Sequence, residues 1–110
     1  MRRTRKVGHV IILAGSFKID VGKADVAMPA IAKMMNATAG EPGCTTSIFS
    51  ADLVDPGLMH LFNLYESEEA LQAHFVAPHL MEFRKGMDDW GFHDSAVLLK
   101  YVVSEYGPAR

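Results

Sequence analysis

Cys44-Thr45-Thr46-Ser47-Ile48-Phe49-Ser50, then Asp55-Pro56-Gly57, then Leu58-Met59-His60-Leu61-Phe62-Asn63-Leu64-Tyr65 is the stretch that decides the fold. Its two outer runs are rich in the apolar, β-branched and aromatic residues that suit a pleated surface. Pro56 and Gly57 supply the dihedrals that a chain reversal needs. Residues 44–65 therefore read as a β-hairpin. The period changes on either side of it. Before it, Ala24, Ala27, Met28, Ile31, Met34 and Met35 recur at three and four, which predicts a helix over Val21 to Ala37 with Asp20 as its N-cap. Pro29 lies inside that pattern and is expected to kink it or to start a second segment. Gly40-Glu41-Pro42-Gly43 stops it. After the hairpin, Ser67 can cap a short helix whose first turn holds Glu68 and Glu69. Leu71, His74 and Phe75 share one face of it. Pro78 breaks that helix and opens another from His79 to about Met87. His9 to Phe17 and His93 to Ser104 read as the first and last strands. The order strand, helix, strand, strand, helices, strand is an α+β, ferredoxin-like split βαβ arrangement. The domain is expected over 9–104, with 1–8 a flexible basic N-terminus and 105–110 a C-terminal tail.

The strands carry a second message. An antiparallel sheet with one wet face alternates apolar and polar residues. Val10-Ile11-Ile12-Leu13-Ala14, Leu61-Phe62-Asn63-Leu64-Tyr65 and Ala96-Val97-Leu98-Leu99 are apolar on both parities. The helices can cover one face, and no element is left for the other. A second copy of the same sheet is the economical cover, so a homodimer is expected.

Composition narrows the function. The chain has 110 residues, 49% of them hydrophobic and 22% charged, the balance of one globular domain. A net charge of −2 gives no field for nucleic acid, and no apolar run is long enough for a membrane helix, so neither partner is expected. Arg2, Arg3, Arg5 and Lys6 form a basic cluster that reads as a solvated terminus. With the apolar run behind it, this cluster imitates a signal peptide. The strand reading of His9 to Phe17 opposes that. A single cysteine, Cys44, excludes an internal disulfide and fits a cytoplasmic setting.

Three motifs in order carry a resemblance. Glu41-Pro42-Gly43-Cys44 resembles the E-P-G-C signature of the antibiotic biosynthesis monooxygenase domain. Tyr65-Glu66-Ser67-Glu68-Glu69-Ala70-Leu71-Gln72-Ala73-His74 resembles its aromatic-E-S/D-x-x-A-L-x-A-H motif, and Pro78-His79 resembles the P-H that follows. The nearest resemblance is to the bacterial quinol monooxygenase type. It implies a dimeric α+β barrel, sheets face to face, with a pocket in each subunit between sheet and helices. Members include cofactor-independent monooxygenases, haem-degrading enzymes and isomerases, so the resemblance fixes a fold before an activity. There are departures. Tyr65 stands where Trp is usual and Asn63 where Glu is frequent. Leu61 and Leu71 stand where polyketide-oxidising members place a phenol-binding Asn and Tyr. Arg84 stands near the haem-binding His position. No cofactor, haem or metal is therefore expected.

No G-x-S-x-G, phosphate loop, H-E-x-x-H or cysteine cluster is present. What remains are polar groups on apolar faces. His74 and His79 are the candidate general bases, since histidine titrates near neutral pH. The other reading makes His74 a half-buried structural histidine bonded to a backbone carbonyl and His79 a helix-start residue lining the surface. Tyr65 is the candidate hydrogen-bond donor to a developing oxyanion, or else a core tyrosine. Asn63, Leu61, Leu71, Phe75 and Trp90 are the candidate pocket lining. His60 has the opposite strand parity from Tyr65 and should face away from the pocket. The expected activity is a cofactor-independent monooxygenase acting on a small phenolic or quinol-like compound. The alternatives are an isomerase or lyase of a small metabolite, and a non-catalytic small-molecule-binding or stress-response dimer.

Overall fold

The hairpin forms where its sequence places it. In the computed structural model, which describes residues 6–91 and 93–110, β2 (Cys44–Ala51) pairs antiparallel with β3 (Leu58–Tyr65). The reversal is set by Asp55-Pro56-Gly57-Leu58. The Leu58 N–H donates to the Asp55 carbonyl at 3.2 Å, and Gly57 has φ +84°. That is the turn with proline second and a left-handed residue third, which glycine adopts without steric cost. Glu41-Pro42-Gly43-Cys44 repeats the device. Cys44 N–H donates to the Glu41 carbonyl at 3.1 Å and Gly43 also has φ +84°.

The remaining strands are β1 (Lys6–Lys18) and β4 (His93–Tyr106), and the antiparallel sheet runs β2-β3-β1-β4. The first and last strands both run past the expected bounds, because Lys6 pairs with Tyr106 and Val7 with Glu105. Arg2, Arg3 and Arg5 lie outside the described residues. β1 passes very close to β4 at Gly15. A Cβ there would stand 1.8 Å from the Val97 carbonyl oxygen, so only glycine fits.

The helices are α1 (Ala24–Ala39), α2 (Glu68–Phe75) and α3 (Pro78–Gly86), with short 3-10 turns at Val21–Lys23 and Met87–Trp90. Asp20 does not cap the first helix as expected. Its side chain makes no cap hydrogen bond and lies against Gly91, while the 3-10 turn intervenes before α1. Pro29 neither breaks nor divides α1. It falls in the second turn, where one backbone donor is lost, and burial of Ala27, Ile31 and Met34 outweighs that loss. Ser67 does cap α2, its hydroxyl accepting from Ala70 N–H at 3.1 Å.

All three helices cover one sheet face. Along β3, Met59, Asn63 and Tyr65 are buried while His60 and Phe62 are exposed, so alternation assigns odd positions to the helices. One core joins Phe17, Ile31, Met34, Met59, Leu80, Phe83 and Trp90; a second joins Ile11, Leu13, Tyr65 and Leu71 under α2. The other face keeps Ile48, Phe62, Val97, Leu99 and Tyr101 in solvent, with Val97 56% and Leu99 50% exposed. Registers place Ile48, Phe62, Ala14 and Leu99 side by side on it. Among the described residues no helix is long and apolar enough to cross a membrane.

Candidate functional site

Three polar side chains meet at the end of α2. The first is Glu41. It follows α1, held by its own N–H donating to the Thr38 carbonyl at 3.0 Å, and the tight turn at Gly43 then returns the chain into β2. The second is His74, in the last turn of α2 and one turn beyond the fully buried Leu71, so the hydrophobic face that docks α2 also buries the imidazole. The third is His79. Ala77 N–H donates to the His74 carbonyl at 3.1 Å, closing α2, and Pro78 starts α3 in a new direction. That break brings the His79 ring back to 6.1 Å from His74, centre to centre.

Glu41 joins the two rings. Its Oε2 lies 2.9 Å from His74 Nδ1 and 2.5 Å from His79 Nε2. The first contact is a hydrogen bond. The second is close enough for an ion pair but not aligned as a hydrogen bond, and His79 Nε2 has no hydrogen-bond partner among the described residues. Glu41 Oε1 is also buried without one. A carboxylate only accepts, so His74 carries its proton on Nδ1 and its basic nitrogen is Nε2. The arrangement is that of a carboxylate fixing the tautomer and direction of an imidazole base.

His74 also lines a cavity of about 110 Å3 between sheet and helices. Leu13, Phe17, Phe49, Leu61, Phe75, Leu80 and Phe83 make its walls, and the polar residues on it are Asn63, His74 and Arg84. Asn63 is 1% exposed, and its Oδ1 has no hydrogen-bond partner among the described residues. Its Nδ2 donates to Tyr65 Oη at 3.4 Å. Burial, with Glu41 and Cys44 nearby, pushes the Tyr65 hydroxyl well above the ordinary tyrosine value, so it stays neutral. Burial, then Glu41, also raises the Cys44 thiol, which leaves it a poor nucleophile.

The sequence profile of the antibiotic biosynthesis monooxygenase family matches residues 10–86, a span that holds β1 from Val10 onward, the Glu41 turn and both histidines. The chain belongs to that family. No curated protein matches the sequence. Solved structures of three bacterial proteins that bear the family's name share the fold. The protein of Deinococcus radiodurans is 21% identical with a TM-score of 0.78, covering 91% of this chain and 95% of that one. That of Nitrosomonas europaea is 19% identical with a TM-score of 0.79, covering 87% and 91%. That of Caulobacter crescentus is 18% identical with a TM-score of 0.79, covering 89% and 92%.

Within this antibiotic biosynthesis monooxygenase domain, the fold brings His74, Asn63, Leu61 and Phe75 together on the cavity wall. His79 lies behind them, on a groove between α1 and α3 that Lys33 and Glu82 also line, and reaches His74 only through Glu41. Tyr65, Leu71 and Trp90 do not line the cavity. Tyr65 and Leu71 belong to the core beneath α2, and Trp90 packs on Phe17 and Phe83 at ring distances of 6.3 and 5.5 Å. His60 stands on the far sheet face, 2.7 Å from Asp52, whose carboxyl it holds down at about 2. Glu41 is the residue that sequence reasoning missed. It was visible in the E-P-G-C signature, but a carboxylate beside a Pro-Gly turn reads as solvated, and its partners lie 33 residues or more along the chain. With it comes a cluster that spacing along the sequence does not reveal: Glu41, His74 and His79 place three donor atoms within 4.8 Å of one another.

Proposed function

We propose that this domain is a cofactor-independent monooxygenase acting on a small, single-ring phenol or quinol, and that it works as a cytoplasmic homodimer. The observation that carries the reading is His74 on the wall of an apolar cavity with Nδ1 already held by Glu41. Nε2 of His74 takes the phenolic proton. The resulting phenolate is electron-rich enough to react with dioxygen directly, so the substrate is its own reductant. For a quinol, one oxygen atom stays on the ring and the other leaves as water, giving a hydroxyquinone. The open Oδ1 of Asn63 accepts a hydrogen bond from a second hydroxyl, and Tyr65 positions Asn63 from behind. The apolar walls exclude water, which strengthens each of these contacts. A cavity of about 110 Å3 is of the same order as the roughly 150 Å3 that encloses a benzene ring, so it takes one ring at most and excludes a polycycle.

The dimer rests on the apolar sheet face, where Ile48, Phe62, Val97, Leu99 and Tyr101 are half in solvent. The cytoplasmic setting rests on the unpaired thiol of Cys44. Oxygen uptake against a panel of single-ring phenols and quinols, with a tricyclic anthrone as the substrate expected to be refused, tests the activity. With any substrate found, His74→Ala should lower turnover by about 10²–10⁴-fold, the usual loss of a general base, and His60→Ala should leave it within about twofold. Equal turnover in His74→Ala and the parent would refute the assignment. Product formed without oxygen would make the protein an isomerase using the same base.

A further inference from the structure

We propose that Glu41, His74 and His79 also form a binding site for one divalent transition-metal ion of the zinc class. Two imidazole nitrogens and one carboxylate oxygen are the donor set that zinc takes in its three-ligand sites, with a fourth position left for water. The same set suits neighbouring transition metals and is wrong for magnesium or calcium, which want oxygen alone. It is the one such cluster among the described residues. The three donors come from separate elements: the turn after α1, the end of α2 and the start of α3. A cation would therefore tie those elements together.

Two atoms of the cluster are already short of a partner. Among the described residues, His79 Nε2 and Glu41 Oε1 are buried with no hydrogen bond, although His79 Nε2 lies 2.5 Å from Glu41 Oε2. A hydrogen-bond network built for itself would align that contact. Donors facing a common centre would not. Around a tetrahedral zinc with bonds of about 2.0–2.1 Å the ligand atoms stand roughly 3.3 Å apart. Glu41 Oε2 stands 2.9 and 2.5 Å from the two nitrogens, so the carboxylate must withdraw by less than an ångström, and the two nitrogens, within 4.8 Å of each other, must settle to the same spacing. It sits in a turn rather than in a helix or strand, which leaves it that freedom.

Metal on His74 Nδ1 puts the ring's proton on Nε2. The ring cannot then accept a proton from substrate, so the cation and the base of the previous section exclude each other. Under that reading the ion inhibits turnover, and the metal-free chain is the working form.

The test is isothermal titration of Zn2+ into the chelator-treated, dialysed full chain, without substrate, so its outcome is separate from any test of turnover. One equivalent per chain should bind, with a Kd in the micromolar range or tighter. His79→Ala, at a partly exposed helix start, should weaken it at least tenfold, as should Glu41→Gln. His60→Ala should change nothing, and Mg2+ should not bind. Should Glu41→Gln fail to fold, Co2+ in the parent protein serves: intense visible bands, lost on adding Zn2+, report a low-coordinate protein site. No saturable Zn2+ binding would overturn the proposal. So would binding that survives His79→Ala, or a weak six-coordinate Co2+ spectrum.

Discussion

Replacing Gly43 by alanine tests how the site is held. Gly43 has φ +84°, and a Cβ on it would stand 2.7 Å from the Ala70 Cβ of α2. The left-handed backbone alone costs an alanine about 1–2 kcal/mol. The contact adds an overpacking cost of about 1–3 kcal/mol, because Ala70 is itself a short side chain on a packed helix and cannot swing away. Against these, alanine restricts the unfolded chain and recovers about 0.4–1 kcal/mol. The net is a loss of roughly 2–3 kcal/mol, which at about 4 °C or more per kcal/mol for a domain of this size lowers Tm by roughly 8–15 °C. Urea unfolding followed by circular dichroism, at fixed protein concentration, measures it. The easiest relief is for α2 to move off the turn, and that motion separates His74 from Glu41. Stability within about 0.5 kcal/mol of the parent would refute the claim that this turn carries a steric requirement.

Two further outcomes follow from the sheet and from the buried tyrosine. Phe62→Asp sets a charge in the apolar outer face, and sedimentation at micromolar concentration should show the parent as a dimer and the variant shifted toward monomer; a folded parent monomer would refute the dimer. Tyr65 has its pKa raised in the folded state, so it contributes stability that is present below the ordinary tyrosine value of about 10 and is lost as pH rises beyond it. Ultraviolet titration of the three tyrosines should therefore show one that ionises only as the fold gives way, and Tyr65→Phe should remove that phase; three ordinary titrations would refute the burial argument.

Periodicity and turn chemistry made most of the fold legible. β3 begins and ends where its apolar and aromatic run and the Asp55-Pro56-Gly57 turn place it, and the Pro78 break is where the two short helices part. What misled was local. Asp20 has the chemistry of an N-cap but lies against Gly91, a neighbour that no local pattern reveals. Pro29 is a breaker whose effect depends on its distance from the helix start. The site was half legible. Parity placed Asn63 and Leu61 on the inner sheet face, and helical spacing placed His74 beneath α2. Neither rule can report that the carboxylate of Glu41 arrives from another element, because that contact exists only once the chain has folded.

The groups proposed to handle the proton and the groups that form the sheet side of the cavity come from different parts of the chain. Glu41, His74 and His79 stand on connections and helix ends, whereas Leu13, Phe49, Leu61 and Asn63 stand on strands. The floor of the pocket can thus change without disturbing the proposed base. A library randomised at Leu13, Phe49 and Leu61 would vary which ring fits and leave the acid–base pair intact. A pocket divided in this way can change the ring it takes while the proposed base stays where it is, and a designer can use the same division.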